Sequence, residues 1–254
     1  MSCSVKISII MPAYNAGKYI EKAVRSVIQQ TYTNWELIVI DDESSDTTYS
    51  IAKRLADEDS RIKVFKNEKN MGVALTRNRG FDLCTGTYVA LLDSDDIWFE
   101  DKLSKQMELV EKTKADIIYC SYGIVDEQGS RKCPDFIVPA RTDYESSLVS
   151  SVISCSTVLL SKEIAENYRF SSDFYHEDLV LWLQLLRDGY KACGVTEVLA
   201  QYRVFAGTRA SNKLKSLKNK FIVYRKYLNL PLFKTAVLLV KTAIAGLEKY
   251  RPAK

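Results

Sequence analysis

The chain of 254 residues has a single histidine, His176, and its six cysteines stand apart at positions 3, 84, 120, 133, 155 and 193. No two of them form a CxxC-type pair, so neither a zinc site nor a disulfide framework is indicated, and reduced thiols in a cytosol are the expectation. A glycine-rich phosphate loop is missing near the N-terminus, since PAYNAG at 12–17 is not one. Long uncharged apolar runs are missing too. Lys234 and Lys241 interrupt the most apolar segment, which leaves it well short of the ~20 residues that cross a bilayer. The opening MSCSVKISII lacks a basic segment ahead of a long apolar run and reads as a first strand, not a signal peptide. Internal repeats and low-complexity linkers are also lacking.

What is present is the balance of a soluble globular protein, 46% hydrophobic and 27% charged. The length fits one large domain, or one domain with an appendage. The net charge of +4 is unevenly spread. From Arg203 to the end there are thirteen Lys and Arg against one acid, Glu248, a balance of +12; the preceding residues hold 23 basic and 31 acidic side chains, a balance of −8. The expected division is an acidic body, 1–210, and a basic helical tail, 211–254. Such asymmetry suggests that the tail meets something anionic.

Strand and helix patterns alternate through the first half. VKISIIM (5–11), WELIVI (35–40), RIKVFKN (61–67), TYVALL (87–92) and ADIIYCSY (115–122) read as strands. Between them, apolar residues at helical spacing mark helices at 18–30, around Ile51, Ala52 and Leu55, at 73–83 and at about 100–113. Ser45 or Asp46 can cap the second of these, and Ser44 to Asp46 read as capping residues. This alternation predicts an α/β fold with a mainly parallel sheet flanked by helices. The second half is less regular: a strand at 155–161, a helix at 176–190 with Leu179, Leu183 and Leu186 inward, a strand at 197–205, and two helices over 213–249 broken near Pro231.

In open sheets of this kind, ligands bind beyond the carboxyl ends of the strands. Two acidic clusters fall there: Asp41–Asp42, and Asp93, Asp95 and Asp96 in LLDSDDIW. Asp93 and Asp95 are two apart, which places them on one side if the strand continues. With no His or Cys nearby, an all-oxygen site suits Mn²⁺ or Mg²⁺ completed by substrate phosphates. The alternative is that Asp95 or Asp96 merely caps the following helix.

Four stretches in order, MPAYNAGKYIEKAVRSVIQQTYTNWELIVIDDESSDTT, NMGVALTRNRG, GTYVALLDSDD and HEDLVLWL, resemble the family-2 glycosyltransferases over roughly residues 5–205. The resemblance implies a GT-A (Rossmann-like) fold and an inverting transfer from a nucleotide-diphosphate sugar, with UDP the commoner nucleotide. Pro12, Ala13 and Tyr14 would then line the base pocket, and Asp42 would accept a hydrogen bond from the base. Arg77 would approach the base or diphosphate. Asp93 and Asp95 match the DxD motif, with Asp95 on the metal and Asp93 on the ribose or the metal shell. Asp178 would be the catalytic base, with Glu177 beside it as the competing choice. The implied setting is cytoplasmic, extending a surface glycan such as lipopolysaccharide or capsule on a glycan or lipid-linked acceptor. A nucleotidyltransferase and a non-catalytic nucleotide-sugar-binding module are the rival readings.

Several of these residues also have plain structural readings. Asp41 reads as bonding to amides in its own turn, Tyr14 as packing or stacking, Trp98 and Trp182 as core, and His176 as a helix-start or acceptor-site residue. Along 232–247, Phe233, Val237, Val240, Ile244 and Leu247 form an apolar side, with Lys234, Lys241 and Glu248 as a narrow polar stripe. A basic helix beside an apolar face can lie on an anionic membrane; the alternative is that it packs on the body or a second subunit. Nucleic acid is not expected as a partner, because no binding motif is present.

Overall fold

The computed structural model describes residues 5–205 and 213–249. Among these, nine strands form one sheet. The first half alternates as β1 (Ile7–Ala13), α1 (Ile20–Ile28), β2 (Trp35–Asp41), α2 (Thr48–Glu58), β3 (Ile62–Lys66), α3 (Val73–Leu83), β4 (Tyr88–Leu91), β5 (Ile97–Trp98), α4 (Lys102–Thr113) and β6 (Ile117–Val125). The second half holds β7 (Arg141–Thr142), α5 (Tyr144–Val149), a 3₁₀ turn (Cys155–Thr157), β8 (Leu159–Ser161), α6 (Lys162–Asn167), α7 (Glu177–Arg187) and β9 (Ala192–Arg203). The tail forms α8 (Lys213–Ile222), a π-turn and α9 (Leu232–Lys249).

The sheet order is β3-β2-β1-β4-β8-β6-β9-β5, with β7 also on β9. Neighbours from β3 to β4 are parallel. β8 then runs antiparallel to both β4 and β6, and β5 and β7 run antiparallel to β9. The alternating half of the sequence thus makes the parallel half of the sheet, and the irregular half makes the mixed part.

Side-chain alternation divides the core between the two faces. Ile7, Ile9 and Met11 of β1 join α1 and α4 through Val24, Val27, Leu103 and Met107. Ile10 points to the other face, into a cluster that includes Phe81 of α3 and Leu181, Trp182 and Leu185 of α7. That is the two-residue period of a strand buried on both sides. Gly80 brings α3 close to β1, because a Cβ there would collide with the Ile10 side chain.

α7 is apolar on two sides, as a helix buried all round must be. Its Leu181–Trp182 side faces the sheet. Its Leu179–Val180–Leu183 side meets Leu148 of α5 and, from the tail, Val223, Tyr224 and Leu238. Tyr224 Oη donates to the Leu148 carbonyl at 2.5 Å and Thr242 Oγ1 to the Val149 carbonyl at 2.9 Å. The tail therefore shares a core with the body. Its two helices part where Asn229 takes a left-handed φ of 52° ahead of Pro231, a common helix stop. The expected boundary at 210 lies in 206–212, outside the described residues.

The remaining face of α9 is uncovered. Phe233 is 82% exposed, Val240 61% and Ile244 54%, and one helical face carries all three. Among the described residues, no helix is long and apolar enough to cross a membrane.

Candidate active site

The carboxyl ends of β1, β2 and β4 open on a cavity of about 980 Å³. Pro12 and Tyr14 line it, Tyr14 half out in solvent, whereas Ala13 does not reach it: its side chain lies in the core, and its carbonyl accepts from Asp42 N at 2.8 Å. The loop after β1 is laced to the loop after β2. Asn15 N donates to Ser44 Oγ at 2.9 Å, Ala16 N to Thr48 Oγ1 at 2.7 Å and Gly17 N to Asp46 Oδ2 at 2.9 Å. Asp46 also accepts from Thr48 N at 2.9 Å, from one residue ahead of Thr47, which occupies the N-cap position expected of Ser45 or Asp46. Asp41 is buried and accepts from Ser44 N at 3.1 Å, so its work is structural.

Asp42 lines the cavity and is also tied down. Its Oδ1 accepts from Asn67 Nδ2 at 2.6 Å and Met71 N at 2.9 Å, and its Oδ2 from Gly72 N at 2.8 Å. Gly72 has a φ of 82°, which a residue with a side chain takes only under strain. The result is that Asp42 fixes the loop that starts α3, which carries Arg77.

Arg77 does not point freely at a ligand. It is buried, and it donates to Asp93 Oδ1 at 2.6 Å and to Glu177 Oε1 at 3.0 Å. Burial alone would lower its pKa, but Asp93 and Glu177 outweigh that and hold the guanidinium charged. Arg77 also lines the cavity, where it bridges the acidic loop and α7.

The acidic loop is held from several directions. Asp93 N donates to Ser156 Oγ at 3.1 Å. Asp96 is buried and caps no helix; it accepts from Ser156 Oγ at 2.5 Å and from Arg203 N at 2.8 Å. Arg203 Nε donates to the Asp95 carbonyl at 2.9 Å. Burial, then Asp95 and Asp93, push the Asp96 carboxyl well above its ordinary range. Burial, then Asp93, push Asp95 up to about 6. Among the described residues no group of three or more His, Cys, Asp or Glu could hold a metal by itself. Asp93 and Asp95 both line the cavity, and two carboxylates at a point of excess negative charge suit a hard cation that a diphosphate completes.

Glu177 and Asp178 occupy the first turn of α7, where the helix dipole favours negative charge. Their surroundings differ. Both line the cavity, but Glu177 is buried in its pair with Arg77, whereas Asp178 is only partly buried. Trp98 and Trp182 are buried, as foreseen. His176 sits in the cavity wall, its Nε2 3.1 Å from the Ser216 carbonyl.

Arg203 and Ser156 went unnoticed in the sequence. The signal for Arg203 was available: three adjacent carboxylates need cations, and Arg203 ends an apolar strand pattern. Ser156 gave no signal, because one serine in CSTV is indistinguishable from any other.

The glycosyl transferase family 2 model matches residues 8–168. The chain is 35% identical over 243 residues to the putative teichuronic acid biosynthesis glycosyltransferase TuaG of Bacillus subtilis, covering 96% of each chain. It is 36% identical over 246 residues to the UDP-Glc:alpha-D-GlcNAc-diphosphoundecaprenol beta-1,3-glucosyltransferase WfgD of Escherichia coli, covering 96% of this chain and 94% of that one. The structure of S. aureus TarS 1-349 in complex with UDP-GlcNAc superposes with a TM-score of 0.74 at 18% identity, over 97% of this chain and 74% of that one. The fold is GT-A, and the chain belongs to glycosyl transferase family 2.

Proposed function

We propose that this glycosyltransferase moves a sugar from a UDP-sugar to a hydroxyl of a lipid-linked acceptor in surface-polysaccharide synthesis, with inversion and with Asp178 as the base. The observation that carries this reading is the division of labour in the first turn of α7. Both line the cavity, but Glu177 is locked to Arg77, and Asp178 is the more exposed of the two. An acceptor hydroxyl is a poor nucleophile until a carboxylate takes its proton. Asp178 takes that proton as the oxygen attacks the anomeric carbon, and the bond to the diphosphate breaks on the opposite face. One base suffices for such an inversion.

The donor's place follows from the chain's own groups. Pro12, Tyr14 and Asp42 form the end of the cavity suited to the nucleotide, and Asp93 and Asp95 face the diphosphate. Their two carboxylates would hold Mn²⁺ or Mg²⁺, which when bound neutralises the charge that gathers on the leaving diphosphate. Support for the donor and acceptor classes comes from the activity that the name of WfgD states, over nearly the whole chain. The basic, partly apolar tail supports a cytosol-facing, peripheral position on an anionic membrane.

The test is product analysis with UDP-sugars and a polyprenyl-diphosphate-linked N-acetylhexosamine, wild type against Asp178→Asn. Acceptor-dependent UDP release that the substitution abolishes is expected. Pyrophosphate as the product would instead establish a nucleotidyltransferase, and binding with no product a non-catalytic module.

A further inference from the structure

The cavity does not end at the base. Beyond Asp178 it continues to a wall that the tail supplies, with Lys220 of α8 and Thr242, Ala243, Ala245 and Gly246 of α9. Its volume of about 980 Å³ stands at the upper end of the roughly 300–1,000 Å³ of a small-molecule pocket, which leaves room for more than a donor.

We propose that this tail wall is the subsite for the diphosphate and first isoprene units of a lipid-linked acceptor. The inference rests on the transferase reading above. With the nucleotide at the Pro12–Asp42 end, the acceptor must reach Asp178 from the opposite end, and that end is the tail. The wall's chemistry is that of an amphiphile. Among the described residues, Ala243 and Ala245 line it beside the cationic Lys220, with Ser150 at the end of α5 as a hydroxyl donor. A Cβ on Gly246 would meet nothing within 4 Å, so the groove is open there. Ala243 both lines the cavity and is exposed, and it adjoins Ile244 on the uncovered apolar face. A lipid whose diphosphate sits at Lys220 can therefore leave over the rim of α9 without crossing polar surface, along the face that meets the membrane.

The experiment uses farnesyl diphosphate as the probe and the full chain loaded with UDP and Mn²⁺, followed by calorimetry. Binding of farnesyl diphosphate alongside UDP is expected, with farnesol much weaker. Lys220→Gln removes a charged donor, and Gly246→Leu fills the groove. Each should weaken the probe by about tenfold or more, Lys220→Gln because a hydrogen bond to a charged group is worth about 1.5–3 kcal/mol and Gly246→Leu because its side chain takes the probe's place. Lys220→Arg should restore most of the affinity, and Lys218→Gln, exposed on the same helix, should change little. UDP affinity should be unaltered in all four. Competition between the probe and UDP, equal losses for Lys220→Gln and Lys218→Gln, or equal binding of farnesol would each overturn the subsite. Donor turnover by the wild type is scored separately, so a failed transferase reading shows as absent UDP release and a failed subsite as intact release without probe binding.

Discussion

Arg77 Nη1 donates to Glu177 Oε1 at 3.0 Å, although a hundred residues separate the two in the chain. The same guanidinium holds Asp93, so one buried cation fixes both the acidic loop and the start of α7. This separates the roles of two adjacent carboxylates. Asp178→Asn should lower transfer by about 10²–10⁴-fold, the usual worth of a general base, while UDP-sugar affinity by calorimetry stays near wild type. Glu177→Gln should cost about 1–3 kcal/mol in a urea melt, because Arg77 loses half its compensation, and should reduce turnover less. The reverse pattern of turnover would move the base to Glu177.

Asp95→Asn should remove most metal-dependent donor binding and leave the thermal midpoint within a few degrees of wild type. The side chain lies on a loop at the cavity, where burial and then Asp93 disfavour its charged form. EDTA should reproduce the loss in the wild type. UDP-sugar affinity that is indifferent to both would remove the cation from the scheme.

Glu36 is a buried carboxylate that the function does not use. It accepts from Ser8 Oγ at 2.7 Å, Thr85 Oγ1 at 2.6 Å and Lys63 Nζ at 2.8 Å, pinning β2 to its neighbours. Burial by itself would raise its pKa; Lys63, Thr85 and Ser8 outweigh this and hold it well below the usual range. With a depressed folded pKa, its contribution is present above the unfolded value of about 4.3 and fades as pH falls below it. Glu36→Gln should therefore cost about 2–4 kcal/mol at pH 7, a gap that narrows from about pH 4 downward. Urea midpoints for the two proteins at pH 7, 4 and 3 test this; an unchanging gap would contradict it.

Serine at Phe233, Val240 and Ile244 together should abolish co-sedimentation with anionic vesicles while leaving the thermal midpoint unchanged, since all three side chains are exposed. Undiminished binding would place the membrane contact elsewhere. Truncation after 210 is a poorer test, because it would strip the cover from Leu148, Leu179 and Leu183 and yield insoluble protein.

The sequence revealed the alternating half of the fold because each element there carries its own period. Ile7, Ile9 and Met11 against Ile10, or Ile20, Ala23, Val24 and Val27, announce a strand and a helix without reference to anything else. It concealed β5 and β7, two residues each, because such short strands exist only through their partner β9. β9 itself was half seen, at 197–205, since its first residues ACGV follow a helix stop without clear alternation. The acidic site showed itself as an improbable density of charge. Its Arg77 bridge stayed hidden, because nothing local in LTRNRG says that a helix a hundred residues later supplies the second carboxylate.

β9 has a further consequence, for the order in which the molecule is made. Its last residue, Arg203, supplies the amide that Asp96 accepts and the guanidinium nitrogen that holds the Asp95 carbonyl, and its Ala200 and Gln201 pair with β5 just beyond the acidic loop. Contacts this distant in sequence close late. A chain emerging from the ribosome can assemble β1 to β4 with α1 to α3 on its own local pattern, but its acidic loop stays unfinished until residue 203 is free of the exit tunnel. The loop of Asp93 to Asp96 therefore takes its final form only in a chain long enough to include Arg203.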